Sequence, residues 1–156
     1  MSTILTHFTT PYNPYANVII PGVQELLCTG FVSSTGGSGG WNSIGMVSIV
    51  YNTITSAFFY GGNVLIPPGV YDLFAQVQFA YANAGVMRLT DAKSGNVIFN
   101  SPASYSQISN YSYVSSRIFG RATFPDGAEI ATTAWFGYGD ASNNIKDQQL
   151  KIVKIS

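Results

Sequence analysis

Val70-Tyr71-Asp72-Leu73-Phe74-Ala75-Gln76-Val77-Gln78-Phe79-Ala80-Tyr81 is the stretch on which the fold turns. Successive side chains of a strand point to opposite faces. Tyr71, Leu73, Ala75, Val77, Phe79 and Tyr81 therefore point one way, and Asp72, Phe74, Gln76, Gln78 and Ala80 the other. The first set is a core face. The second has none of the Lys and Glu of an ordinary solvated face, and carries Phe74 among glutamines with a single acid, Asp72. Subunit interfaces are depleted in charge and enriched in aromatics, so Asp72, Phe74 and Gln76 read as an interface. A singly exposed phenylalanine is the plainer alternative.

Outward from this strand, turn signals recur at short intervals. Gly61-Gly62-Asn63 and Pro67-Pro68-Gly69 precede it, with strands expected at 23–32, 45–51 and 57–60. Downstream, 86–89 and 96–99 flank the hairpin signature Asp91-Ala92-Lys93-Ser94-Gly95. Residues 114–124 and 128–136 flank Pro125-Asp126-Gly127, and a last strand is expected at 148–155. Eight or more short strands with no helical periodicity between them predict an all-β chain, an antiparallel sandwich or jelly roll.

Two regions follow from composition. Residues 1–22 hold Pro11, Pro14 and Pro21 with the aromatics Phe8, Tyr12 and Tyr15, and prolines fix φ and remove donors. This is an extended N-terminal arm, lying on its own body or on a neighbour; residues 23–156 form the jelly-roll domain. Of the 156 residues, 7 are Lys or Arg and 7 Asp or Glu, giving zero net charge. Only Glu25 is charged before Asp72. Charged residues are 9% of the chain, against roughly 25% in an ordinary domain. Balanced charge leaves no basic field for nucleic acid, and 46% hydrophobic residues argue against disorder. No run reaches the roughly 20 apolar residues of a membrane-spanning helix. Residues 1–10 lack the basic flank and apolar core of a signal peptide.

The strand and its preceding turn resemble a known superfamily. Pro68-Gly69-Val70-Tyr71 running into Phe79 is similar to the Gly-x-Tyr strand of the tumour-necrosis-factor and C1q-like jelly rolls. Ile118 to Phe124, the Gly127 turn and Ala128-Glu129-Ile130 are similar to its next hairpin, with Asp126-Gly127 in place of the family's Gly-Asp. Leu150 to Ile155 resembles the terminal strand. The likeness covers residues 64–155 and leaves the arm and the Gly36–Gly40 loop unmatched. It implies a homotrimer with Phe74 near the threefold axis, no enzymatic activity and protein-binding partners. Bacterial viruses use similar folds in capsid decoration proteins and tail-fibre tips.

Catalytic and metal-binding patterns are not found. His7, the only histidine, sits in the arm and cannot be held as a base beside a nucleophile. No pair stands out among the carboxylates Asp72, Asp91, Asp126, Glu129, Asp140 and Asp147, and Asp91 and Asp126 are turn residues. Residues 140–147 offer hard oxygen ligands for Ca²⁺ but lack the EF-hand glycine and closing glutamate, so a polar loop is the better reading. Gly36–Gly40 has no following Lys-Ser/Thr and is not a phosphate loop. Cys28, alone, is read as a small buried hydrophobe. No cofactor is expected. Arg117 and Arg121 share a strand face with Phe119; they pair with Glu129 or Asp147, or bind an acidic sugar or surface. Residues 101–116 are almost all Ser, Asn, Gln and Tyr, with Tyr105, Tyr111 and Tyr113. Such composition makes adaptable binding surfaces, or a solvated loop with its tyrosines packed on the body.

The expectation is a virion protein on the capsid surface, made in the host cytoplasm. It is a trimer bound across junctions of the major capsid protein through His7, Phe8, Pro11, Tyr12, Pro14 and Tyr15. The alternative is a fibre tip contacting a host receptor or glycan through Tyr105, Tyr111 and Tyr113.

Overall fold

The structure is a computed structural model that describes residues 22–32, 40–80, 84–105, 113–137 and 145–156. The arm before Gly22, residues 33–39 of the Gly-rich loop, Tyr111 and residues 138–144 lie outside the described residues. Eleven antiparallel strands are present among the described residues. They are β1 (Gln24–Val32), β2 (Trp41–Asn52), β3 (Phe58–Tyr60), β4 (Asn63–Ile66), β5 (Gly69–Ala80) and β6 (Ala84–Asp91). β7 (Val97–Asn100), β8 (Ser104–Tyr105), β9 (Tyr113–Phe124), β10 (Ala128–Phe136) and β11 (Ile145–Lys154) complete them.

The strands form an antiparallel jelly roll. One sheet runs β2-β1-β11-β5-β9; the other runs β3-β4-β10-β6, with β7 and β8 both pairing β6. The first four residues of β2 pair with β10, from Trp41↔Trp135 to Ile44↔Thr132, so this strand bends from one sheet to the other. Two bulges in the β1–β2 pairing accompany the bend.

The alternation of β5 places its residues as its sequence predicts. Tyr71, Leu73, Ala75, Val77 and Phe79 are buried in the core, where Leu26, Cys28, Leu150, Ile152 and Ile118 join them from the same sheet. Val64, Met87, Leu89, Ile130, Ala134 and Phe136 close the core from the other sheet. Burying such side chains stabilises by about 1.5–3 kcal/mol each. Two rings lock the layers together by lying on glycines. Phe99 of β7 sits over Gly120 of β9, where a Cβ would stand 2.5 Å from its ring carbon, and Phe79 of β5 sits over Gly85 of β6. Cys28 is buried as expected, its thiol donating to the Leu150 carbonyl at 3.4 Å. Burial pushes that thiol far above its ordinary pKa, against the weaker effect of this hydrogen bond, so it is an inert packing group.

β4 was not among the expected strands, because four residues between two glycine- and proline-rich turns show no period of their own. Its pairing with β10 supplies the order that local sequence does not. The β9–β10 hairpin closes on Pro125-Asp126-Gly127, with Gly127 N–H donating to the Phe124 carbonyl at 3.3 Å. A turn followed by a left-handed residue suits the twist of the strands. Gly127 has φ 73°, and an added Cβ would stand 2.5 Å from the Ile66 carbonyl oxygen. Gly127→Ala therefore destabilises the protein by about 1–3 kcal/mol. In contrast, Ala at the exposed Asp126 stays within about 0.5 kcal/mol, and urea unfolding midpoints of the two variants separate these outcomes.

Candidate functional site

The outward face of the β2-β1-β11-β5-β9 sheet carries the residues singled out for assembly. Direct cross-strand partners share a face, so the register can be read as rows. One row crosses all five strands as Tyr51, Leu27, Lys151, Phe74 and Phe119. The next is Glu25, Val153, Asp72 and Arg121; the one on the other side is Thr29, Gln149, Gln76 and Arg117. Asp72, Phe74 and Gln76 thus share the outward face of β5, the strand next to the β9 edge of the sheet.

Phe74 itself is not the outermost aromatic. It is 7% exposed, stacked on Phe119 with ring centroids 4.6 Å apart and planes 24° from parallel, while Phe119 is 68% exposed. Phe119 covers Phe74 because they are exact opposites in the ladder, where side chains of this size meet. The stacked pair is a raised aromatic block beside the paired Asp72 and Arg121. Arg121 does not pair with Glu129 or Asp147. It makes a two-pronged contact with Asp72, Nε to Oδ1 at 2.6 Å and Nη2 to Oδ2 at 2.8 Å, because the register sets the two directly across from each other. Glu129 instead accepts from Asn63 Nδ2 at 2.7 Å, and the Asp147 side chain lies outside the described residues. Gln76 makes a long amide contact, 3.4 Å, to Gln149. Gln76, Gln78, Ser115 and Arg117 line a shallow polar recess beside it.

A buried ion pair on this face was not legible in the sequence. Lys151 Nζ lies 2.9 Å from Glu25 Oε2, both side chains almost fully enclosed. Glu25 faces Val153 in the ladder, which makes Lys151 its diagonal neighbour. The phenol of Tyr51, next to the pair, is raised above its ordinary pKa by burial, with Lys151 opposing. The one available signal was that Glu25 is the only charge in the first 71 residues, and an isolated acid in an apolar strand requires a cation from somewhere else in the chain.

The remaining expected site residues are scattered. His7, Phe8, Pro11, Tyr12, Pro14 and Tyr15 lie outside the described residues, as does Tyr111. Tyr113 opens β9, but its side chain is outside the described set. Tyr105, 78% exposed, pairs with Ala84 of β6 and so belongs to the other sheet from Phe74. Asp91 is the turn residue it was expected to be. It accepts from Ser94 Oγ at 2.8 Å, from Glu129 N–H at 3.1 Å and from Lys93 N–H at 3.2 Å. Burial raises its pKa, but these donors together outweigh that effect and hold the carboxyl below its usual range. Among the described residues no group of three or more His, Cys, Asp or Glu could hold a metal ion. The Ca²⁺ candidate at 140–147 falls largely outside them.

Two measurements follow from these ion pairs. Lys151→Met leaves Glu25 buried without its cation and destabilises by about 3–5 kcal/mol, most of which Glu25→Leu restores in the double variant; urea midpoints report both. For Asp72, hydrogen bonds from Arg121 hold the folded carboxyl below its ordinary value. A depressed folded pKa adds stability above the unfolded pKa and loses it as pH falls through the folded one. Melting temperatures of the wild type and Arg121→Gln should differ at pH 7 and draw together as the pH falls from about 4 through the folded carboxyl's lower pKa.

No sequence family and no curated protein matches the chain. Solved structures do. Murine APRIL at pH 5.0 superposes with a TM-score of 0.61 at 14% identity, over 85% of this chain and 100% of that one. The globular domain of the zebrafish complement 1qA protein gives 0.55 at 10% identity, over 85% and 98%. Eiger TNF from S. frugiperda gives 0.54 at 10% identity, over 85% and 94%. The fold is a TNF/C1q-like jelly roll, and at these identities the likeness is one of fold alone.

Proposed function

We propose that the chain is a structural protein of a bacteriophage virion, a homotrimer that decorates the capsid and cements junctions between major capsid subunits. The observation that carries the reading is Phe119, 68% exposed on top of Phe74 in a sheet face whose two acids, Asp72 and Glu25, are each paired with a cation. Three copies meeting through this face bury the stacked aromatics, with Asp72, Gln76 and their partners as the polar surround; interface cores have this composition. Homotrimers are known among the TNF/C1q-like jelly rolls that this fold resembles, which supports the reading. In this reading residues 1–22 are the capsid-binding arm. His7, Phe8, Tyr12 and Tyr15 fill grooves of the major capsid protein, while Pro11 and Pro14 reduce the ordering cost by holding the chain extended. The low charge and the abundance of Ser, Thr, Asn and Tyr fit a packed virion surface better than a field-driven encounter.

The test is sedimentation of the full chain beside Phe119→Arg. Phe119 is the better probe because a charge at the enclosed Phe74 would also damage the fold. The wild type is expected at about three times 16.7 kDa and the variant as a folded monomer. A monomeric wild type overturns the trimer. Cementing requires further that deletion of residues 1–22 abolish binding to capsids of the source phage while the trimer persists.

A second reading, the receptor- or glycan-binding tip of a tail fibre, is favoured by Tyr105, whose ring is 78% exposed at the edge of the Tyr-rich segment. It predicts that the arm is dispensable for attachment to host cells and that Tyr105→Ala, with Tyr111→Ala and Tyr113→Ala, is not.

A further inference from the structure

The two tryptophans of the chain, Trp41 and Trp135, are far apart in sequence and direct partners across the β2–β10 ladder. They stand on the outward face of the second sheet. Along β10 the inward residues Ile130, Thr132, Ala134 and Phe136 are buried, whereas Thr133 and Trp135 alternate with them and are half-exposed. Trp41 is 43% exposed. The same face collects Arg88, which pairs with Thr133 and Asn100, and Ser43, which also pairs with Thr133. Tyr105 joins it from β8, because Ala84, its partner, alternates onto the same side of β6 as Val86 and Arg88. Strand and residue spacings put Tyr105 about 12 Å from Trp135.

Arg88 is held in place. Its guanidinium lies 3.9 Å from the centre of the Trp41 ring system, and its Nε donates to Thr133 Oγ1 at 2.9 Å. No carboxylate among the described residues pairs with it; the two ion pairs among them are Asp72–Arg121 and Glu25–Lys151. The nearest polar neighbours, Thr133, Ser43 and Asn100, are all neutral. A planar cation stacked on an indole and tethered at Nε keeps its terminal nitrogens available for a carboxylate, in the fork geometry that suits bidentate recognition. Holding this rotamer before a ligand arrives removes part of the ordering cost of binding.

We infer that this face is a binding site for an acidic saccharide, a pyranose bearing a carboxylate. The C–H groups of a sugar face carry slight positive charge and lie against the negative face of an indole. The carboxylate meets the charge of Arg88, and hydroxyl groups meet Thr133, Ser43 and Asn100. Tyr105, at its distance, contacts a second residue of the same chain of sugars. An acidic peptide supplies the carboxylate but not the array of ring C–H groups that an indole face accepts. The site lies on the opposite sheet from Phe74 and Phe119, so it stays open in the proposed trimer, and neither inference depends on the other.

The experiment is titration calorimetry of the full-length protein with oligosaccharides of galacturonate, glucuronate and N-acetylneuraminate, against carboxyl-reduced counterparts and oligoglutamate. Binding to at least one acidic sugar is expected, with tryptophan fluorescence changing in step and carboxyl reduction weakening it at least tenfold. Arg88→Lys keeps the charge but loses the fork and weakens binding at least threefold; Trp41→Ala weakens it at least tenfold. Phe119→Arg leaves the affinity per chain unchanged. Unaltered melting temperatures of the variants show that the fold is intact. No binding to any of the three acids overturns the proposal. So does equal binding to the reduced sugars or to oligoglutamate, or binding that folded Arg88→Lys and Trp41→Ala variants retain in full.

Discussion

The pairing of β5 with β9 is the constraint on which the rest depends. Twelve consecutive partners, from Gly69↔Phe124 to Ala80↔Tyr113, run without a register shift. A slip of one residue would turn every side chain of a strand to the other face. In this register Leu73 and Ile118 face the core, and Phe74 with Phe119 and Asp72 with Arg121 meet on the outside. One ladder therefore settles the packing of the interior and the chemistry of the outward face together.

The second sheet is tied to this ladder by aromatic rings on glycines and by hydrogen bonds that Ser116 Oγ donates to the Gly85 carbonyl and Ser104 Oγ to the Ser115 carbonyl. Phe99 over Gly120 and Phe79 over Gly85 bring the two layers into direct contact around the shared core. The two outward faces that result differ in kind. One has a stacked aromatic block, a closed Asp72–Arg121 pair and a buried Glu25–Lys151 pair, so most of its charge is already satisfied. The other holds two indoles and an arginine whose charge meets no carboxylate among the described residues. A face with its charges neutralised suits contact with another copy of the chain; a face with one unanswered cation beside aromatic rings suits a small anionic ligand.

Much of the fold was legible because alternation is a local property. The inward and outward sets of β5, the hairpin at Asp91–Gly95, the Asp126–Gly127 turn and the burial of Cys28 all follow from neighbours a few residues apart. The misjudged features were relations between distant segments. The sequence around Phe74 points to an interface aromatic, and nothing near it in the chain indicates that Phe119 lies across the ladder and covers it. Arg121 was assigned to Glu129 or Asp147 because its partner depends on register, and register is not written in either strand alone. Neither tryptophan carries a local signal, because each stands by itself in its own segment.

The sequence by itself determined an all-β chain of short antiparallel strands, the residues that β5 turns to the core and to the outside, and a low content of charge. These follow from side-chain period, turn residues and composition, each of which acts over a few residues. Only the tertiary structure decided which strands are neighbours, and with them the Phe74–Phe119 stack, the Lys151–Glu25 pair and the Trp41–Trp135–Arg88 cluster. The physical reason is that such contacts arise from closing long loops around a shared core, where the burial of both sheets selects one arrangement of strands from many that local preference leaves equal.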